Sequence, residues 1–269
     1  MVNNILSFDV EEWNSSFYLD KDASVKESRV GLSINKILEI LSSKDIKATF
    51  FVVGKLAEQN EDIVKMIDAA GHEVASHGYA HLPVTTLSPE EFRRDLKQSI
   101  AVLEKITNKK VLGYRAPGYT ITRNNLWAID IIRECGLRYD SSIYPVSLRV
   151  FTSGGAAGFQ QGEFMISKDL KEFPLITADV LGVKLPVATT SYFRIFPYLV
   201  TKWAIKRLNQ QGMRTCLNFH SWEFDPEHPK VKLPFPQNVK HYFNLSKTEP
   251  RFKQLISDFD FISCREAIE

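Results

Sequence analysis

The 269-residue sequence has little that would tie it to a special environment. Its three cysteines, Cys135, Cys216 and Cys264, are scattered and show no CxxC spacing. That excludes a disulfide framework and suits buried thiols in a reducing compartment. Basic and acidic residues, 34 and 32, nearly cancel to a formal charge of +2, which removes any bulk electrostatic case for nucleic acid. No apolar run approaches the roughly 20 residues that span a bilayer. The start has no basic n-region, long apolar h-region or small-residue cleavage site, so a cytoplasmic chain is expected. Linkers and low-complexity stretches are also missing. With 44% hydrophobic and 25% charged residues, the composition is that of a globular protein, read as one domain over residues 1–269.

What is present is a rhythm. Asn4–Val10 is a short apolar strand ending in Glu11 and Glu12, followed by a polar loop. Residues 32–41 repeat apolar side chains at helical spacing, Ala48–Val53 is an apolar strand closed by Gly54, and a helix over about 62–70 ends at Gly71. Ser88-Pro-Glu-Glu91 has the residues of a capping box and starts a helix running to about Thr107. Strand 111–115, helix 125–135 and strand 137–140 follow. The pattern of strand, polar turn, helix and glycine, at roughly 30 residues per unit, predicts parallel strands with helices outside them. Between about Ser147 and Val187 the rhythm breaks around Gly154, Gly155, Gly158 and Gly162, as in a hairpin-rich insertion. It resumes with a helix near 197–209, a strand over 215–219, a helix near 251–259 and a strand over 261–264.

Four polar clusters sit just past predicted strand ends: Asp9/Glu11/Glu12, His77/His81, Arg115 and His220. In parallel α/β folds that edge is where sites are built. Two histidines four apart can close on one divalent ion, and a catalytic site usually adds a carboxylate. Strand alternation puts Asp9 and Glu11 on one face and Val10 and Glu12 on the other. One of the first pair is therefore read as a base and the other as a metal ligand, with Glu12 left to a solvated loop. Arg115 can orient a carboxylate, and the Pro117-Gly118 turn after it can offer a backbone N–H to an oxyanion. His220 stands where a general acid would. Each has a bland reading too: an ion pair for Arg115, a structural histidine for His220. His72, His228 and His241 are read as structural or solvated, and Asp140-Ser-Ser as a turn signal.

In this order the clusters resemble the polysaccharide deacetylase family, the NodB-like carbohydrate esterases. The resemblance rests on Ser7-Phe-Asp9, His77-Gly-Tyr-Ala-His81, Arg115-Ala-Pro-Gly118, Asp140-Ser-Ser-Ile143 and Leu217-Asn-Phe-His220, and covers about Asn4 to Trp222. Tyr192-Phe-Arg194 and His220-Ser-Trp-Glu-Phe-Asp-Pro226 are similar to the branch associated with exopolysaccharide and cell-surface glycan gene clusters. It implies a distorted (β/α)7 barrel of α/β class that removes acetyl groups from sugars. Asp9 would be the base, His77 and His81 metal ligands, Arg115 the group orienting Asp9, Gly118 the oxyanion amide and His220 the acid. Tyr119 and Trp222 would line the substrate. Many relatives have a second aspartate after the first, where this chain has Val10. Alternation nominates Glu11 as the third ligand instead.

The implied cofactor is a divalent ion, zinc first, with cobalt, manganese or nickel as alternatives, and the implied substrate an N-acetylated glycan or lipid-linked sugar. Two other readings stay open: a hydrolase of cyclic amides or ureides on the same barrel, and a metal-free glycan-binding pseudoenzyme. Trp13, Tyr79, Tyr119, Tyr144 and Trp222 lean towards a sugar. The apolar, basic helix near Phe193–Leu208 is read as packing inward rather than as a peripheral membrane contact.

Overall fold

The computed structural model of the protein describes residues 2–15, 28–146, 159–180, 183–187 and 189–269. Along the chain the first half runs β1 (Asn4–Val10), α1 (Val30–Ser42), β2 (Thr49–Val52), α2 (Gly54–Gln59), α3 (Glu61–Ala69), β3 (Glu73–Ser76), α4 (Pro89–Thr107), β4 (Gly113–Tyr114), α5 (Trp127–Glu134) and β5 (Tyr139–Asp140). The second half runs β6 (Phe164–Ser167), β7 (Leu170–Glu172), β8 (Thr177–Val180), β9 (Val183–Pro186), α6 (Thr190–Ile195), α7 (Tyr198–Gln210), β10 (Cys216–His220), α8 (Gln237–Tyr242), α9 (Thr248–Asp258), β11 (Phe261–Ile262) and α10 (Cys264–Ile268).

The strands β10, β1, β2, β3, β4, β5 and β7 lie side by side in that order, each pairing parallel with the next. Just past β7, a parallel bridge from Leu175 to Cys216 of β10 closes the ring. This is the distorted (β/α)7 barrel. The hairpins β6–β7 and β8–β9 fall where the repeat was expected to break. The Gly154, Gly155 and Gly158 part of that expectation, and the polar loop over 16–27, lie outside the described residues.

Alternation along the strands makes two cores. Leu6, Phe8 and Val10 of β1 face outward, packing with Phe50 and Val52 against Ile34, Ile37 and Leu38 of α1. Ile5 faces inward with Phe51, Ala75, Tyr139, Phe173 and Cys216. Ser7 and Asp9 share that inner face, so β1 carries its acid into the mouth of the barrel.

One inner contact is unusually tight. Gly113 of β4 lies under the Tyr139 ring, and a Cβ there would fall 1.9 Å from Tyr139 Cζ. Tyr139 is fully buried and donates to Glu73 Oε1 at 2.9 Å, so the ring cannot swing away without losing that bond. Gly113→Ala is expected to lower unfolding free energy by about 3 kcal/mol, the upper end of the overpacking range, as read by urea unfolding.

The capping box of α4 forms as expected, with both Ser88–Glu91 bonds present. The helices α2, α6, α8 and α10 were not anticipated, because five or six residues are too few to show a helical period. For α10 a signal existed: Ser263 and Glu266 make a second capping box. Strand 111–115 shrinks to Gly113–Tyr114. In α7 the packed face is Tyr198, Thr201, Ala204, Ile205 and Leu208, whereas Leu199 and Trp203 are 72% and 43% exposed. Only part of its apolar surface therefore turns inward. Among the described residues no helix is long and apolar enough to cross a membrane.

Candidate active site

The parallel register sets Asp9 of β1 beside His220 of β10 and Ser7 beside Asn218. All four sit on the inner face at or near the C-terminal end of the barrel. Arg115, immediately after β4, is fully buried among them, its guanidinium 4.0 Å over the Phe51 ring. Its NH1 donates to Ser7 Oγ (2.9 Å), Asp9 Oδ1 (3.0 Å) and Asn218 Oδ1 (2.6 Å). Its Nε and NH2 donate to the carbonyl and hydroxyl of Ser141. Asn218 Nδ2 donates to Asp9 Oδ2 at 2.8 Å, so each Asp9 oxygen has a fixed donor.

Burial alone would raise the Asp9 pKa, but His77, Arg115 and His220 outweigh it and hold the carboxyl below its ordinary value. Arg115 carries that effect at neutral pH, because burial lowers His77 itself to about 4.

His77 is 2% exposed and its Nδ1 bonds the Arg115 carbonyl at 2.8 Å, which turns Nε2 to within 3.8 Å of Asp9 Oδ2. That is the outer-shell hydrogen bond usual for a metal-binding imidazole. His81 follows a tight turn, held by Asp95, which accepts from the amides of Tyr79 and Ala80. His81 Nε2 lies 2.8 Å from Glu11 Oε2. Glu11, His77 and His81 each offer a ligand atom, all within 4.8 Å of one another. Two neutral-capable imidazoles and one carboxylate fit a borderline divalent ion. Glu11 is buried, but His220 and His81 depress its pKa below the carboxylate range despite that burial, and Trp222 Nε1 donates to its Oε1.

Glu12 points elsewhere: it accepts from Ser28 Oγ and from the Arg29 amide at the start of α1. A cavity of about 340 Å³ opens beside His81, lined among others by Glu12, Asn14, Lys55, Gln59 and Asn60. Its polar walls over Val53 and Leu56 suit a sugar-sized group.

Four of the five aromatic residues are more enclosed than the sugar reading expects, while Tyr79 stays partly exposed. Trp13, Tyr144, Trp222 and Tyr119 are 1%, 1%, 4% and 9% exposed, so none offers an open face to a sugar. Trp222 stacks on His220 and His241 and supports Glu11 instead. The Tyr119 hydroxyl accepts from Asn218 at 2.5 Å. His228 and His241, expected in loops, are buried, the first stacked on Trp13 and the second in α8.

Among residues not anticipated, Ser7 and Asn218 hold Asp9 and Arg115, and same-face alternation with Asp9 and His220 would have found both. Asp140, read from the sequence as a turn signal, pairs across the sheet with Glu172, which was not anticipated. Asp140 Oδ1 accepts from Ser142, which also receives the Ala116 amide, and Glu172 Oε1 accepts from the Ile143 amide. The remaining oxygens, Asp140 Oδ2 and Glu172 Oε2, are buried without another partner, as expected for a carboxyl and a carboxylate sharing one proton. Burial and the Asp140 charge push the Glu172 pKa well up. The folded state thus keeps a proton that the unfolded chain releases near pH 4.3. Stability from this group is full below that pH and is lost as pH rises towards the folded value. Glu172→Gln, a neutral isostere, is expected to match the parent near pH 4 and to exceed it in unfolding free energy at pH 8, as measured by denaturant titration.

Residues 30–139 match the family model described as polysaccharide deacetylase, and residues 141–269 match a domain of unknown function, DUF3473. A peptidoglycan deacetylase-like protein of Gibberella zeae is 33% identical over 46% of this chain and 36% of its own. A peptidoglycan-N-acetylglucosamine deacetylase of Bacillus cereus is 32% identical over 35% of each chain. The matched stretch thus spans about a third of the length of these relatives. In structure, a Mycobacterium smegmatis protein assigned to the polysaccharide deacetylases superposes with a TM-score of 0.66 at 18% identity, over 98% of this chain and 88% of that one. The family-model match over residues 30–139 and these relatives support placement in the polysaccharide deacetylase superfamily, the NodB-like carbohydrate esterases of family 4.

Proposed function

We propose that the protein is a metal-dependent hydrolase removing the acetyl group from an N-acetylated sugar of a cell-surface polysaccharide or its precursor. The observation that carries this reading is the convergence at one barrel mouth of the Glu11–His77–His81 donor set, the Asp9 carboxylate and the His220 imidazole. What a divalent ion, zinc first, would supply at that donor set is Lewis acidity towards the acetyl carbonyl and towards water. Asp9, ionised and held by Arg115 and Asn218, takes the proton of the attacking water as its oxygen bonds the acetyl carbon. The C–N bond then breaks, His220 protonates the leaving amine, and acetate departs. Burial opposes charge on His220, but Glu11, Glu223 and Asp9 outweigh it and raise its pKa, which suits an acid.

Gly118 supports the oxyanion role. The Ala116 amide is committed to Ser142 and the Tyr119 amide to the Ala116 carbonyl, and Pro117 has none. That leaves the Gly118 N–H without a hydrogen bond to the described residues, in a turn with φ of 64°. Residues 1–269 are read as one NodB-like domain, since β10 and β11 from the second half pair with β1. Three free thiols accord with a cytoplasmic location, and a lipid-linked sugar is a suitable form of substrate there.

The test is acetate release from N-acetylglucosamine polymers, peptidoglycan fragments and lipid-linked acetamido sugars, with and without chelator. Release that chelator abolishes and a divalent ion restores is expected. No release with zinc, cobalt, manganese or nickel on any of them would overturn the reading.

A further inference from the structure

We propose that Glu223, held from behind by Arg194, is the positioning residue for His220. This rests on the reading of His220 as the acid of a deacetylase. After β10 the chain enters a single 3-10 turn, Ser221–Phe224, in which residues three apart come to lie one over the other. Glu223 therefore returns beside His220, with Oε1 3.5 Å from Nδ1. The opposite ring nitrogen, Nε2, lies 3.5 Å from Glu11 Oε1 and 3.9 Å from Asp9 Oδ2. The imidazole thus spans two sets of carboxylates, one structural and one at the reacting centre. A proton fixed on Nδ1 by Glu223 makes Nε2 the nitrogen that gives and receives protons at the substrate.

Glu223 is itself fixed. It is 1% exposed, and Arg194, fully buried, reaches its Oε1 with NH2 at 3.4 Å. Arg194 also donates to the Phe243 carbonyl (2.6 Å) and the Lys240 carbonyl (2.9 Å), so its head is locked to the C-terminal end of α8. Asn244 and Arg251 bind the Arg194 carbonyl and lock its backbone. As a stability device a buried ion pair returns little, because desolvating two charges costs about what their attraction gives. What this pair does is hold one carboxylate oxygen at Nδ1. Among the described residues no other carboxylate is paired with that nitrogen. Asp140, the other acid in the resembling motifs, accepts from Ser142 and lies beside Glu172 on the neighbouring strand.

The experiment compares the parent protein, Glu223→Gln and Glu223→Asp by steady-state acetate release and by nitrogen-15 histidine spectra, with His220→Gln to assign the His220 signals. Glu223→Gln is expected to lower kcat by about 10- to 100-fold with KM unchanged. It should also leave the neutral His220 ring with mixed tautomers where the parent holds the proton on Nδ1. Glu223→Asp, which keeps the charge one methylene further back, should recover part of kcat. It replaces the glutamine variant in the comparison if loss of the Arg194 counter-charge prevents folding. Unchanged kcat, a loss confined to KM, or His220 nitrogen signals identical to the parent would overturn the proposal. If the parent releases no acetate from any substrate, the deacetylase reading fails, and the nitrogen spectra alone decide whether Glu223 sets the imidazole.

Discussion

His77→Ala is expected to abolish stoichiometric divalent-metal binding and, with it, to lower kcat/KM by about a thousandfold or more. The size follows from the several kcal/mol that Lewis-acid assistance supplies, at about 1.4 kcal/mol per factor of ten. Among the three donors His77 is the one whose geometry is set before any ion arrives. It is 2% exposed, its Nδ1 is committed to the Arg115 carbonyl, and burial lowers its pKa to about 4. The ring is therefore neutral at physiological pH, and Nε2 has no proton to lose on binding. His81 is less confined, at 13% exposure of its side chain, and already bonds Glu11. Glu11→Asp probes the other side of the site: it withdraws the carboxylate by one methylene from His81 and from the Trp222 N–H. It is expected to weaken metal binding without removing it. Elemental analysis after dialysis reads both variants. One ion per chain retained by His77→Ala would show that these donors are not the metal site.

Much of this site was legible because it obeys local rules. Alternation along β1 separates Asp9 and Glu11 from Val10 and Glu12, and the structure puts the first pair in the barrel mouth. Val10 lies in the outer core and Glu12 at the start of α1. Strand ends were legible from apolar runs followed by polar turns. What was not legible depends on residues far apart in sequence. No local pattern announces that Glu172 lies beside Asp140, or that Arg194 lies behind Glu223. The aromatic residues misled for a related reason. Composition cannot distinguish a ring that stacks on a ligand from one that is core material: Tyr144 lies in the inner core of the barrel, and Trp13 and Trp222 pack in a separate cluster with Leu245. Short helices escaped as well, since α2 and α8 are stabilised by packing rather than by a period of their own.

Arg115→Met is expected to cost about 3–5 kcal/mol of unfolding free energy, the usual penalty for leaving one member of a buried ion pair alone. Asp9 would lose its counter-charge at 2% exposure, and Ser141 and Asn218 would lose their guanidinium donor. Asp9→Asn should cost less, about 1–3 kcal/mol, because Arg115 keeps Ser7, Asn218 and Ser141 as acceptors. It cannot be neutral. An asparagine that turns its oxygen to Arg115 turns its amide to Asn218 Nδ2, donor against donor. Flipping Asn218 only moves the conflict to Arg115 NH1. The kinetic ranking should reverse. Asp9→Asn removes the proposed base and is expected to lower kcat by about 10²–10⁴-fold while the protein remains folded. Arg115→Lys keeps the charge and the base but cannot reach acceptors on both sides of a planar fork, and should fall between the two in stability. In a double-mutant cycle by urea unfolding, Asp9→Asn with Arg115→Met should destabilise by less than the sum of the singles, since each removes the buried charge the other strands. Additivity within about 0.5 kcal/mol would mean the two residues are held independently. The activity of the base would then have to be explained without the arginine.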